Sequence, residues 1–74
     1  MTENRLGKIL KKMDADAPDG LKGINAHLFG VKYGDEILEN NLKLENIAEI
    51  SGIDSRYKME IRKGIILSKY LTLK

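Results

Sequence analysis

The chain begins with a stretch whose apolar residues share one helical face. In residues 2–16 they recur at steps of three and four, which places them on one side of an α-helix and leaves the basic residues on the other sides. These apolar residues are Leu6, Ile9, Leu10 and Met13. The pattern predicts an amphipathic helix that Thr2 can cap and that ends before Pro18 and Gly20.

A second helical pattern covers residues 44–63 and divides into two short helices. The first is LENIAEIS, in which apolar residues recur at three-residue steps, and Gly52 follows it directly. Glycine adopts a positive φ without a Cβ penalty. Gly52 therefore predicts a left-handed cap and a tight turn at the end of this helix.

The second helix of this pattern is SRYKMEIRK. Asp54 or Ser55 can cap it, because either side chain can accept a hydrogen bond from a free N–H group of the first turn. Tyr57 and Ile61 are four residues apart and are expected to face inward. Gly64 is expected to end the helix.

Residues 22–41 show a weaker pattern. Alternation over residues 22–28 is compatible with a short strand, whereas the apolar spacing from Phe29 to Asn40 favours a helix. Gly30 and Gly34 lower the helical propensity of that segment by about 1 kcal/mol each. Glycines four residues apart can also allow another helix to approach closely.

The C-terminal residues 65–73 allow two interpretations. They can form a strand that pairs with residues 22–28 as a wing, or they can continue the preceding helix beyond Gly64. Their β-branched and aromatic content slightly favours the strand. An uncovered strand edge would suit a homodimer, because its free N–H and C=O groups can pair with a second copy.

Residues 44–63 resemble the helix-turn-helix family of DNA-binding proteins. The resemblance is carried by Ile47-Ala48, by Gly52-Ile53 and by Ile61. It departs from the family pattern at Lys43, where a Ser or Thr cap is usual, and at Lys58, where a buried aliphatic residue is usual. At the latter position, either Tyr57 or Met59 is expected to serve instead.

A wider resemblance extends to small bacterial helix-turn-helix-like proteins. It is carried by the segment HLFGVKYGDEI, by the Gly-Ile turn and by the C-terminal KG and KY pairs. We therefore expect a mainly α fold over residues 1–74, forming one helix-turn-helix domain of three to four helices. A short β-ribbon from residues 22–28 and 65–73 remains an alternative within that fold.

Charge is distributed unevenly along the 74 residues. Residues 1–53 contain seven basic and nine acidic residues, whereas residues 54–74 contain six basic and two acidic residues. A clustered basic excess is the electrostatic signature expected of a protein that neutralises phosphates. A solvated helix face is the alternative interpretation of the same charges.

The composition argues against an enzyme. The chain has no cysteine, which excludes thiolate metal sites and cysteine nucleophiles. His27 is its only histidine, so any histidine-dependent catalytic site would need this one residue. Asp35 and Glu39 share a helix face that could bind a divalent ion, but a solvated acidic face is the better interpretation. Residues 14–25 do not fit a calcium-binding loop, and the GLKG sequence at residues 20–23 is a weak match to an RNA-binding KH loop. We expect no cofactor and no metal.

The N-terminus lacks the pattern of a signal peptide, and no segment is long and apolar enough to cross a membrane, so we expect a cytoplasmic protein.

The leading functional hypothesis is a small DNA-binding regulator or accessory subunit that uses residues 55–63 as its recognition helix. The helix-turn-helix resemblance implies that the start of this helix lies nearest the bases. The candidate DNA-binding residues are Ser55, Arg56, Tyr57, Lys58, Arg62, Lys63 and Lys69.

The alternative hypothesis is a protein-interaction module or dimerising scaffold that does not bind nucleic acid. An exposed face that contains Met59, Ile66, Leu67 and Tyr70 could bind such a partner.

Overall fold

The computed structural model describes residues 1–71. These residues form four α-helices and one 3₁₀ turn, without a strand. The α-helices are α1 (Glu3–Asp16), α2 (Lys22–Glu39), α3 (Leu44–Ser51) and α4 (Lys58–Ser68), and the 3₁₀ turn (Ser55–Tyr57) leads into α4. The mainly α fold predicted from the sequence is confirmed.

The helices pack mainly as two pairs, α1 with α3 and α2 with α4. Their apolar faces meet in one core. The largest side chains that are fully buried in it are Phe29, Leu6, Leu10, Ile47 and Ile61. Each of the four helices therefore contributes at least one of the central core residues.

Helix α1 follows its predicted bounds closely. Thr2 is its N-cap, and the Thr2 hydroxyl oxygen accepts a hydrogen bond of 3.1 Å from the backbone N–H of Arg5. Leu6 and Leu10 of the predicted apolar stripe are buried. Gly7 lies under the Ile50 side chain and the Ile47 carbonyl group of α3, so α1 and α3 approach closely at this point.

Helices α2 and α4 approach each other through residues that have small or absent side chains. A Cβ atom added to Gly30 would overlap the carbonyl oxygen of Ile61, and one added to Gly64 would overlap the carbonyl oxygen of His27. Gly34 lies equally close to Ser68. The glycines of α2 therefore do allow another helix to approach, as their spacing predicted, and that helix is α4.

The predicted β-ribbon is wrong for the described residues. Residues 22–28 form the first two turns of α2, because Ala26 belongs to the buried helical series that continues through Phe29, Gly30 and Gly34. This 3.6-residue period prevails over the short alternation that suggested a strand.

The C-terminal part of the predicted ribbon is helical as well. Helix α4 continues through Gly64 to Ser68, so the helical interpretation of residues 65–68 is the correct one. Gly64 does not end the helix, because the lack of a side chain there allows the backbone of α2 to pack against it. Residues 72 and 73 of the predicted strand lie outside the described part of the chain.

Candidate nucleic-acid interface

The turn between α3 and α4 has the geometry that the sequence predicted. Gly52 adopts a left-handed conformation with φ of +74°, and its N–H donates hydrogen bonds to the carbonyl oxygens of Ala48 and Glu49 at 3.1 and 3.2 Å. The Ser51 hydroxyl accepts a further hydrogen bond of 3.3 Å from the N–H of Ile53. These bonds end α3 sharply and set the direction in which the chain enters the next element.

The predicted recognition helix starts differently from the expectation. The carboxylate of Asp54 accepts a hydrogen bond of 3.0 Å from the N–H of Arg56, and the N–H of Tyr57 donates to the Asp54 carbonyl at 3.0 Å. These local bonds close a 3₁₀ turn, so the α-helix itself begins only at Lys58. Of the two candidate caps, Asp54 is the residue that caps this element.

The departure from the family pattern at Lys58 is compensated by Tyr57. Tyr57 is partly buried and packs against the core, and its ring lies near Gly23 of α2. Met59 remains 59% exposed and does not serve as the inward residue. Ile61 is fully buried, as predicted.

The side-chain cap that is missing at Lys43 is replaced by a carboxylate from near the N-terminus of the chain. Lys43 is the N-cap of α3 but provides no capping side chain. The Glu3 carboxylate of α1 accepts a hydrogen bond of 2.6 Å from the Lys43 N–H and one of 3.0 Å from the Asn46 side-chain amide. The backbone hydrogen bond from Lys43, followed by that from Asn46, lowers the pKa of Glu3 from its ordinary value of 4.5.

Sequence reasoning missed this role of Glu3. The cap and the helix that it caps are 40 residues apart in the sequence. A local capping motif cannot reveal such a contact, because the acceptor lies outside the segment in which caps are sought. The only sequence signal is the lack of a Ser, Thr, Asp or Asn at position 43.

The candidate DNA-binding residues lie mostly on the exposed surface of the 3₁₀ turn and α4. Those that are exposed are Ser55, Arg56, Arg62, Lys63 and Lys69, whereas Tyr57 and Lys58 are partly buried. The buried face of α4 consists of Ile61, Gly64, Ile65 and Ser68. Arg62 and Lys63 therefore lie on solvent-facing sides of the helix.

Acidic side chains accompany three of these cations. Arg56 lies 3.5 Å from Asp54, Arg62 lies 3.3 Å from Glu45, and Lys63 lies 3.4 Å from Glu60. The Arg56 guanidinium group also lies 5.0 Å from the centre of the Tyr57 ring. The basic excess that the sequence places after residue 53 is thus balanced locally, because residues 44–63 contain four acidic and four basic residues.

The acidic residues Glu45 and Glu49 of α3 are a second feature that sequence reasoning missed. Together with Ser55 and Lys58 they line an open groove of about 300 Å³ between α3 and the start of α4. Their sequence signal was present, since both are exposed positions of a helix whose apolar face was predicted. Their effect on the neighbouring cations depends on the turn at Gly52, which brings α3 beside α4.

The described residues offer little for other chemistry. His27 lies 3.5 Å from Glu60 at the surface between α2 and α4. Residues 1–71 contain no group of three or more potential metal-ligating side chains. Within the same residues, the helices are either too short or too polar to cross a lipid bilayer.

Comparison with known proteins identifies a family for this chain. The model of a family described as an HTH-like domain matches residues 2–74. The match covers nearly the whole chain and includes all four helices. Neither a curated protein nor a solved structure gives a significant match.

Proposed function

We propose that this chain, which belongs to the family of HTH-like domains, binds double-stranded DNA through the outer surface of the 3₁₀ turn and α4. The observation that carries the proposal is the helix-turn-helix unit itself. The left-handed turn at Gly52 and the core contacts of Ile61 fix α4 against the rest of the fold, and Arg62 and Lys63 extend from it into solvent. A rigid helix with exposed cations fits the major groove.

The proposed roles follow from position and side-chain chemistry. Arg56 lies at the start of the element, where residues of a recognition helix reach base edges, and its guanidinium group can bind guanine O6 and N7 together. Lys58 begins the α-helix beside it, and the Tyr57 ring, which packs against the core, lies 5.0 Å from the Arg56 guanidinium group. Phosphate contacts are assigned to Ser55, Arg62, Lys63 and Lys69.

The ion pairs of this surface do not prevent such binding. Apart from Glu60, which is partly buried, their members are largely exposed, and exposed pairs contribute only about 0–1 kcal/mol to stability. A phosphate oxygen can therefore replace a carboxylate as the partner of Arg62 or Lys63. The remaining carboxylates still repel the DNA backbone, so we expect modest affinity and a shallow dependence on salt concentration.

An NMR titration of the labelled chain with a short DNA duplex, at low and at moderate salt, tests the proposal. We expect chemical-shift changes at residues 54–69 that weaken as salt increases, since binding releases counterions. Glu45→Gln should increase the affinity about two- to fivefold, because it removes the carboxylate that competes for Arg62.

Glu39→Gln is the matched control for that variant. It changes the net charge by the same amount, but Glu39 lies at the end of α2 rather than beside Arg62. We expect a smaller effect from it than from Glu45→Gln. Binding without shifts at residues 54–69, or equal effects of the two substitutions, would contradict the proposed surface. Failure to bind at low salt would contradict DNA binding altogether.

The second candidate is a protein-interaction module, and two observations favour it. The charges of residues 44–63 balance, and apolar side chains of α4 are exposed beside the cations. Met59 and Ile66 are 59% and 51% exposed, and Tyr70 beyond the end of α4 is 79% exposed. In this case, reversing the charges of Arg62 and Lys63 would leave the partner interaction unchanged, whereas it would abolish DNA binding.

A further inference from the structure

Helix α2 has a second apolar stripe on the side that faces away from the core. Its members are separated alternately by three and four residues, which is the spacing of the core positions in a coiled coil. They are Leu21, Ile24, Leu28, Val31, Asp35 and Leu38, and we call them the outer stripe. Five of the six are apolar, so α2 has apolar side chains on two opposite faces.

Most of the outer stripe is left exposed by the rest of the described chain, and Val31 alone among its members is partly buried. Ile24 is 68% exposed, and Leu21, Leu28 and Leu38 are 43–47% exposed. The inner face of the same helix is buried in the core and includes Phe29 and Gly30. Contiguous exposed apolar surface is uncommon on a protein that functions alone, and it marks sites of association.

Two shallow grooves widen this apolar surface on either side of α2. One, of about 440 Å³, lies towards α4 and is lined by Leu67 and Leu71. The other, of about 350 Å³, lies towards the end of α1 and is lined by Met13 and Pro18. Ile24 and Leu28 belong to both grooves, so the outer stripe is the centre of one continuous surface.

From this surface we infer that two copies of the chain associate through their α2 helices, with the outer stripes packed against each other. The spacing supports a helix as the occupant, because alternating steps of three and four keep the side chains on the line where two helices cross at a small angle. A second α2 provides the same spacing and the same apolar character. A two-fold interface of this kind is self-complementary.

The dimensions of the surface fit a dimer. The 18 residues of α2 span about 27 Å, close to the 30 Å longest extent of the described chain. With the flanking grooves, the face runs along nearly the whole length of the described chain, which suits an interface that takes roughly 800 Å² of accessible surface from each partner. Asp35 is the only charged member of the outer stripe, which matches the low charge content of interface cores.

Asp35 also determines the relative direction of the two helices. In a parallel pair, the two Asp35 carboxylates would face each other in a desolvated seam, and like charges in that position repel. In an antiparallel pair that is centred between Leu28 and Val31, each Asp35 lies opposite Ile24 of the partner and near the end of the helix. The antiparallel arrangement is therefore the one that we assign.

The test is the molecular mass of the full chain in solution, measured by sedimentation equilibrium without nucleic acid. The protein concentration is varied over about 10–500 µM, because the dimer fraction increases with concentration. The absence of nucleic acid makes the outcome independent of the proposed DNA binding. We expect the mass to rise from 8.3 kDa towards twice that value. A chain that stays at 8.3 kDa throughout would overturn the inference.

Lysine substitutions then locate the interface. Leu28→Lys and Ile24→Lys should each keep the chain monomeric at the highest concentration, whereas Ile66→Lys, at a similarly exposed position on α4, should leave the dimer intact. Circular dichroism checks that each variant keeps its helices, and Ile24→Lys decides the matter if Leu28→Lys does not fold. A dimer that survives Ile24→Lys, or that Ile66→Lys disrupts, would overturn the assigned surface.

A spin label at Glu39→Cys tests the direction, because the natural chain has no cysteine to interfere. Antiparallel helices place the two labels about 28 Å apart along the helix axis, whereas parallel helices place them side by side. A short distance between the labels would overturn the antiparallel arrangement.

Discussion

The two helix pairs of this fold are held together by different means. Helices α2 and α4 meet at glycines, where their backbones come into contact because no side chain separates them. Helices α1 and α3 meet through side chains, because Ile50 covers Gly7 and the Glu3 carboxylate caps α3. The first kind of contact tolerates almost no added volume, whereas the second can adjust in part through side-chain movement and responds to pH.

The largest effect is expected from Gly30→Ala in the α2–α4 pair. The new methyl group would overlap the backbone of α4, which cannot move without displacing Ile61 from the core. We expect a loss of about 3 kcal/mol in the free energy of unfolding, and a melting temperature lower by roughly 10–25 °C. Thermal and urea denaturation followed by circular dichroism measure both quantities.

Gly23→Ala is the matched control for that variant, since it is the same substitution in the same helix. A Cβ atom at Gly23 would meet the Tyr57 ring at 3.7 Å, an ordinary van der Waals distance. It should therefore increase the stability by up to about 1 kcal/mol, because alanine favours the helix. If both substitutions destabilise the chain equally, the close contact between backbones is not what makes Gly30 necessary.

A smaller effect is expected from Gly7→Ala in the α1–α3 pair. The added Cβ atom would lie 2.5 Å from Cγ2 and 2.6 Å from Cβ of Ile50, so turning this half-exposed side chain relieves only part of the overlap and α3 must also shift slightly. We expect a loss of about 1–2 kcal/mol, less than for Gly30→Ala, because the overlapping atoms belong to one side chain rather than to the backbone and helix propensity offsets part of the cost. In an Ile50→Ala background the loss should be smaller, because Cγ2 is removed although the Cβ atom at position 50 remains. A loss as large as that of Gly30→Ala would show that the two pairs do not differ.

The smallest effect is expected at Glu3, and it depends on pH. The pKa of Glu3 is lower in the folded chain than in the unfolded chain, so its stabilising contribution is complete above about pH 4.5 and is lost as the pH falls through the folded-state pKa. Glu3→Gln should therefore be less stable than the natural chain at pH 7 and equally stable at acidic pH. A difference in stability that does not change with pH would mean that the charge of Glu3 has no role in capping α3.

Most of the secondary structure could be predicted from local patterns. Leu6 and Leu10 define α1 by their spacing, and Gly52 and Asp54 provide local signals for the turn that follows α3. The errors occurred where distant packing prevails over local propensity. Gly64 reads as a helix end in isolation, but it continues α4 because α2 packs against it.

In the candidate site, too, local features could be predicted from the sequence and contacts between distant residues could not. Exposure of Arg56, Arg62 and Lys63 could be predicted, because these residues are absent from the apolar face of their helix. Their ion pairs could be predicted less well. The partners of Arg56 and Lys63 are near in sequence, but Arg62 reaches Glu45 of another helix, 17 residues away. That pairing requires the three-dimensional arrangement of α3 and α4.

The contact between Gly30 and Gly64 has a mechanical consequence. Two helices whose backbones are in contact change their crossing angle less easily than helices separated by flexible side chains. Helices α2 and α4 therefore behave as one rigid unit. A partner that docks on the outer stripe of α2 therefore also sets the direction in which Arg62 and Lys63 point. In a dimer formed through α2, the distance between the two copies of α4 would therefore be fixed by main-chain geometry.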